Sequence, residues 1–289
     1  MCLSLSVCWW RLYHWCCILE SFEFFISNNE KKTFNDVIFG CSNDNTKFSF
    51  EGGYVSGIFG LSLSPDSMAS QFSPLTQARF SYCLVPFRDA IPNPIILRFG
   101  EDIPQLPPGQ VQTTLFVNPP PRSYLYYLEL LDISVGNHRL GFPPNTFKIR
   151  PDGSGGCYID SGAFISQIDF NTFGVNAYEE VLAVFEAYYG SRKLQRTTIF
   201  QGLELCYENP ANYHDFAAIT FHFNGADYSV DGEYGHLFDP VKGLFCVGFL
   251  RGKKATVLGA LHQQNKRIIY DGGIHGLQFT DEQCINDVL

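Results

Sequence analysis

Short apolar runs that alternate with polar residues, or that stop at a glycine, recur along the whole chain and predict strand after strand. Leu19–Ile26 and Asp36–Gly40 read as strands, and Gly57–Gly60 as a short buried strand between glycines. Phe80–Val85, Ile95–Phe99 and a long strand over Tyr126–Val135, turned by Gly136-Asn137, follow. Then come Tyr158–Asp160, Ala218–Phe223, Leu244–Gly248, Thr256–Gly259 and Arg267–Asp271. Helices are few. Ser64 with Pro65 predicts an N-cap and a short helix through Gln71. Ala177–Tyr189 carries the one clear helical period, with Tyr178, Val181, Leu182, Phe185 and Tyr188 on one face. Asn176 is its expected cap, Glu179 completes a capping box, and Gly190 ends it. Pro104–Arg122 holds six prolines and no helical period, and reads as an extended connector.

Composition agrees with a β-rich globular protein. Aromatics make up 16% of the 289 residues, charged residues 17%, and 26 glycines with 16 prolines supply turns. A net charge of -9, without a basic stripe, excludes general nucleic-acid binding. Four cysteines crowd the first 17 residues, while Cys41, Cys83, Cys157, Cys206, Cys246 and Cys284 lie far apart. That spacing is unlike a zinc site; it suits disulfides in an oxidising compartment, and six buried thiols are the alternative. No metal or other cofactor is expected. Met1–Leu19 is apolar, but Arg11 and His14 interrupt it and no small-residue cleavage site follows, so it does not read as a signal peptide. It is too broken to span a bilayer. His222, His236, His262 and His275 lack metal-ligand spacing and read as solvated or hydrogen-bonded structural residues.

The candidate chemistry lies in Tyr158-Ile159-Asp160-Ser161-Gly162-Ala163. A strand that ends in Asp-Ser-Gly delivers a carboxylate into a tight loop, where glycine lets backbone donors approach and the serine hydroxyl can bond the carboxylate. Taken alone, the tripeptide reads more readily as an ordinary Asx turn after a strand. The wider series is more specific. Val37-Ile38-Phe39-Gly40-Cys41, Ser56-Gly57-Ile58-Phe59-Gly60-Leu61, Phe80-Ser81-Tyr82-Cys83-Leu84, Ile133-Ser134-Val135-Gly136, Ile159-Asp160-Ser161-Gly162 and Thr256-Val257-Leu258-Gly259-Ala260-Leu261-His262-Gln263-Gln264-Asn265 occur in order. Over Leu19–Cys284 this series resembles the nepenthesin-like, pepsin-like aspartic proteases of plants.

The resemblance implies an all-β, bilobal pepsin-like acid protease fold with a few short helices, each lobe giving one Asp to a shared, metal-free site. It divides the chain into an atypical leader at 1–18, a remnant of the first lobe at 19–112, and the second lobe with its connector at 113–289. Asp160 is then the second-lobe catalytic aspartate, its loop shaped by Ser161 and Gly162. Cys206 and Cys246 correspond to the disulfide of the family's second lobe. The first Asp motif and the flap have no counterpart here, and Ala163 stands where the family has a Thr that pins the two loops. Residues 19–112 are therefore expected to expose strand edges and apolar faces, and the chain to be inactive as an endopeptidase. A peptide or protein is the substrate class if it is active. The alternative is a non-catalytic relative, like the xylanase inhibitors, that binds a microbial glycoside hydrolase. The location implied is extracellular or vacuolar.

Overall fold

A computed structural model describes residues 15–25, 30–42, 57–89, 95–106, 109–197 and 200–287. The strands and helices run β1 Trp15–Phe25, β2 Lys31–Ser42, α1 Met68–Thr76, β3 Arg79–Cys83, β4 Leu97–Phe99, β5 Gln112–Val117 and β6 Tyr126–Leu128. They continue as β7 Leu130–Val135, β8 His138–Arg139, β9 Cys157–Asp160, β10 Ser166–Asp169, α2 Ala177–Ser191, β11 Cys206–Glu208 and β12 Ile219–Phe223. The last are β13 Ala226–Val230, β14 His236–Asp239, β15 Leu244–Val247, β16 Phe249–Gly252, β17 Thr256–Gly259, β18 Lys266–Asp271 and β19 Gly276–Asp281. The described chain is mostly β, as its pattern predicts.

One ten-stranded sheet, in the order β16-β10-β17-β9-β6-β5-β19-β18-β3-β4, organises the molecule. It joins β3 and β4 to the C-terminal hairpin β18–β19, so both segments named from the sequence share a sheet. Arg98 of β4 and the fully buried Arg267 of β18 both reach Asp287, at 2.7 and 2.9 Å, which fastens the C-terminal turn beneath the sheet. Cys83 is disulfide-bonded to Cys284 across the same join, and Cys206 to Cys246 between β11 and β15. Cys157, by contrast, is a buried thiol and not a disulfide: it sits in the core on β9, where desolvation pushes its pKa well up.

The main apolar core lies between α2, the four-stranded sheet β13-β12-β7-β8 and the ten-stranded sheet. Asn176 caps α2 by accepting the Glu179 N–H at 3.3 Å, as expected. The return half of the box is absent, because the Glu179 carboxylate pairs with Arg251. Tyr178, Val181, Phe185 and Tyr189 are the buried stripe, Tyr189 taking the place expected of Tyr188, and the helix runs through Gly190 to Ser191. Asn176→Ala should cost about 1 kcal/mol of stability, read as a shift in urea midpoint.

Four expectations need correction. Gly57–Gly60 is exposed and forms no strand, with Ile58 76% exposed, because no strand among the described residues lies beside it to take its backbone groups. The first helix is capped by Ser67, whose Oγ accepts from Ser70 N–H, and not by Ser64, which instead closes a turn onto Ser67. It also runs past Gln71 through Pro74; the Ser70 carbonyl that Pro74 cannot serve accepts the Ser73 hydroxyl at 2.7 Å. The long strand over Tyr126–Val135 breaks at Glu129, because β6 pairs within the large sheet and β7 within the four-stranded one. The connector contains β5, paired to β19 and β6.

The strand expected from Leu19 begins at Trp15, and the leader reading of residues 1–14 lies outside the described residues. The hairpin β1–β2 forms a two-stranded sheet of its own. Val37, Met68 and Phe72 make a small core beneath it, and an apolar groove of about 640 Å³ opens alongside, lined by Phe24, Phe34, Phe59, Phe72 and Phe99 among others. Leu19, Phe25 and Ile38 are exposed there.

Candidate active site

Asp160 is the last residue of β9. Cys157 and Ile159 point into the core, and Tyr158 and Asp160 take the alternate, half-buried face. The chain then turns, with Ala163 N–H bonded back to Asp160 O at 3.3 Å. Asp160 Oδ1 accepts the Gly162 N–H at 2.8 Å. A Cβ on residue 162 would stand 3.1 Å from that same oxygen, so glycine lets the backbone donor approach.

Strand β17 is threaded through this loop. It runs parallel to β9, with Gly259 beside Asp160, and antiparallel to β10 on its other side, where Val257 meets Gln167. Beyond the strand, Ala260 N–H bonds Ala163 O and Leu261 N–H bonds Phe164 O, both at 2.8 Å. Ser166 Oγ accepts the Gly259 N–H at 2.8 Å and donates to His262 Nδ1 at 2.6 Å, while His262 Nε2–H donates to Gly235 O at 3.2 Å. His262 is therefore a neutral buried strut, its pKa pushed down to about 3 by burial. His236 is its neighbour: Nδ1–H donates to Gly232 O at 2.7 Å and Nε2 accepts the Tyr189 hydroxyl at 2.8 Å, with burial lowering its pKa to about 4.

Under the Asp160 turn lies a buried tyrosine pair. Tyr82 of β3 and Tyr270 of β18 hold their hydroxyls 3.1 Å apart, and Tyr82 O–H donates to Gln263 Oε1 at 2.6 Å. Among the described residues the Asp160 carboxylate accepts from the Gly162 N–H and has no bond from the Ser161 hydroxyl expected from the sequence. Tyr158, on the strand that carries Asp160, has its pKa pushed up to about 12 by burial and, second, by the Asp160 charge.

A strand threaded between two others, with a carboxylate at its turn, invites comparison with known proteins. The sequence profile described as Xylanase inhibitor C-terminal matches residues 125–281, more than half of the chain, and that described as Xylanase inhibitor N-terminal matches 17–101. The chain belongs to this family. Its relatives include aspartic proteinase nepenthesin-1 of Nepenthes gracilis, 29% identical over 86% of this chain and 54% of the relative. Nepenthesin-2 of the same plant is 28% identical over 92% of this chain and 57% of its own length. The chain thus spans about half the length of the curated relatives it matches. Among solved structures, basic 7S globulin from soybean superposes with a TM-score of 0.73 at 15% identity, covering 91% of this chain and 68% of the globulin. The crystal structure of edgp gives 0.77 at 15% identity, covering 98% of this chain and 79% of that one. The pepsin-like fold and the kinship to plant aspartic proteases stand on these matches.

Asp160, Ser161 and Gly162 stay together on one turn, and Cys206 and Cys246 form a disulfide in a separate small core against which Ile165 packs. Ala163 contributes only backbone, its carbonyl taken by Ala260 N–H. No group of three or more potential metal ligands occurs among the described residues. Sequence reasoning missed Tyr82, Ser166, Gln263 and Tyr270. His262 stands in the Thr256–Asn265 motif of the sequence, which assigns it no role beyond that of a structural histidine.

Proposed function

We propose that this chain supplies one half of a paired-aspartate acid endopeptidase site, with Asp160 as its carboxylate, and that the residues given do not cleave peptides efficiently alone. The observation that carries this reading is the half-buried Asp160 carboxylate, fixed by one backbone donor at the turn through which β17 is threaded. Peptide hydrolysis of this kind needs one carboxylate to take a proton from water and a second to donate a hydrogen bond to the scissile carbonyl. The sequence holds a single Asp-Ser-Gly and no Asp-Thr-Gly. Losing one member of such a unit removes several orders of magnitude of rate. A peptide or protein is the substrate class. An extracellular or vacuolar location belongs to the same reading, favoured by the two disulfides. No helix among the described residues is long and apolar enough to cross a membrane.

The reading is tested by adding a polypeptide that carries the Asp-Thr-Gly loop and flap of a nepenthesin-type first lobe. Pepstatin-sensitive cleavage at acid pH should appear and vanish with Asp160→Ala. Cleavage that survives Asp160→Ala would remove Asp160 from the chemistry.

A second reading is a non-catalytic binding protein for a microbial glycoside hydrolase. The family's description as xylanase inhibitors and the alanine at position 163 favour it. It predicts saturable inhibition of a xylanase by the purified chain that Asp160→Ala leaves intact.

A further inference from the structure

We propose that Ser134, His222 and Asp227 form a second reactive site, an activated serine that takes a small acyl group from a carboxylic ester. The site does not involve Asp160 and is independent of the protease reading.

The three residues come from β7, β12 and β13, neighbouring strands of the four-stranded sheet. These strands turn Ile133, Ile219, Phe221 and Tyr228 into the core, so by alternation Ser134, His222 and Asp227 share the opposite face. His222 lies directly across from Asp227, and its Nδ1 stands 2.7 Å from Asp227 Oδ1. An ionised carboxylate only accepts, so Nδ1 carries the hydrogen and Nε2 of the neutral ring is a bare acceptor. Ser134 Oγ lies 2.7 Å from that Nε2 and therefore donates to it. Hydroxyl, imidazole and carboxylate in this order are the arrangement that activates a serine, and it is recognised by geometry and role, not by position in the sequence.

Arg139 stands directly across from Ser134 on β8. Asp132 holds its Nε at 2.7 Å, and among the described residues its terminal nitrogens have no hydrogen-bond partner. They are the donors for negative charge that develops on an ester oxygen beside Ser134. Ser134 and His222 are each 8% exposed, which limits the site to a small acyl carbon. In the first step Ser134 Oγ bonds that carbon and its proton passes to His222 Nε2. The bond from carbon to the leaving alcohol oxygen then breaks, and the alcohol takes the proton from Nε2. Water attacks the acyl-serine in the same way. Its proton passes through Nε2 to Oγ as the acid departs. The charged groups around His222 are Asp227 on β13, Asp132 on β7 and Arg139 on β8, with Lys266 and Asp281 across a small pocket from Asp227.

The test treats the full chain at neutral pH with two probes, p-nitrophenyl acetate and an alkyl fluorophosphonate. Nitrophenol release follows the acyl reaction, and peptide mass mapping of the phosphonate adduct locates the nucleophile. The adduct should sit on Ser134. His222→Gln should slow both reactions by about 100-fold or more, the usual contribution of a general base. Asp227 is a positioning residue, and its loss has a separate signature. Asp227→Asn removes the counter-charge of the imidazolium, so the midpoint of the curve of rate against pH should move to lower pH. A folded wild-type chain without an adduct on Ser134 overturns the proposal, as does labelling of Ser134 at the same rate in folded His222→Gln. An unmoved midpoint in Asp227→Asn would take Asp227 out of the site. The mapping on the wild-type chain needs no variant, so it decides even where a substitution prevents folding.

Discussion

Acidification from pH 6.5 to pH 4 should remove on the order of 5 kcal/mol of folding stability through two histidines alone. Unfolded, each imidazole takes a proton near pH 6.5; folded, burial keeps His236 neutral to about pH 4 and His262 to about pH 3. Below pH 6.5 the unfolded chain therefore binds protons that the folded chain refuses. The stability is fully present above 6.5 and is lost as pH falls through that window. Neither imidazole can accept a proton without breaking a bond, because Nε2 of His236 accepts from Tyr189 and Nδ1 of His262 accepts from Ser166. Both also hang on the same turn, through Gly232 O and Gly235 O, so protonation of either loosens the segment that braces the threaded loop. Asp287 adds a loss of the same sign at lower pH: its burial is outweighed by the Arg267 and Arg98 guanidiniums beside it, which hold its carboxyl below the usual range. The measurement is the urea midpoint as a function of pH. A steep fall between pH 6.5 and 4 is expected, flattened in the His236→Gln/His262→Gln chain. A wild-type midpoint that does not change across that interval would show that the two imidazoles are not held neutral.

Gly259→Ala should cost more than about 3 kcal/mol. A Cβ there would stand 2.7 Å from Ala163 O, 2.8 Å from Ile165 C and 2.9 Å from Ser166 N. All three are backbone atoms of the loop that encloses β17, so no side-chain rotation relieves the contact. Moving the loop apart would break the Ser166 bond to Gly259 N–H and the Ala260 bond to Ala163 O. It would also displace Asp160, which lies beside Gly259 in the parallel pair. Gly190 is the control, because a Cβ there meets nothing within 4 Å and the residue lies inside α2. Gly190→Ala should stabilise the protein by about 0.5–1 kcal/mol. Denaturation midpoints of the two variants should therefore move in opposite directions. A Gly259→Ala chain as stable as the native one would mean that the strand is not threaded as described.

The centre of the fold was legible because its pieces are written locally. An apolar pair before Asp160-Ser161-Gly162 and an apolar run ending at Gly259 are what two buried neighbouring strands must look like. The α2 cap and stripe were legible for the same reason, except that the last turn rotates Tyr189 inward in place of Tyr188. Ser64 misled because Pro65 imitates a first helical residue, while the decisive bond, Ser67 Oγ to Ser70 N–H, involves an equally ordinary serine. Glu129 gave no sign of a break, since strands that change sheets keep their alternation. Tyr82 and Gln263 stand 181 positions apart, and no local pattern relates them. The thiol of Cys157 illustrates the same limit: wide cysteine spacing favours a disulfide without excluding a buried thiol, and Cys157 on β9 is the buried thiol.

The central claim, that these residues carry one carboxylate of a two-carboxylate site, is tested most directly by the initial rate of denatured-globin cleavage at mildly acid pH, with circular dichroism confirming that the chain stays folded. The purified chain should cleave no faster than Asp160→Ala. Cleavage that pepstatin blocks and Asp160→Ala abolishes would contradict the account, because a second carboxylate would then be supplied from within these 289 residues.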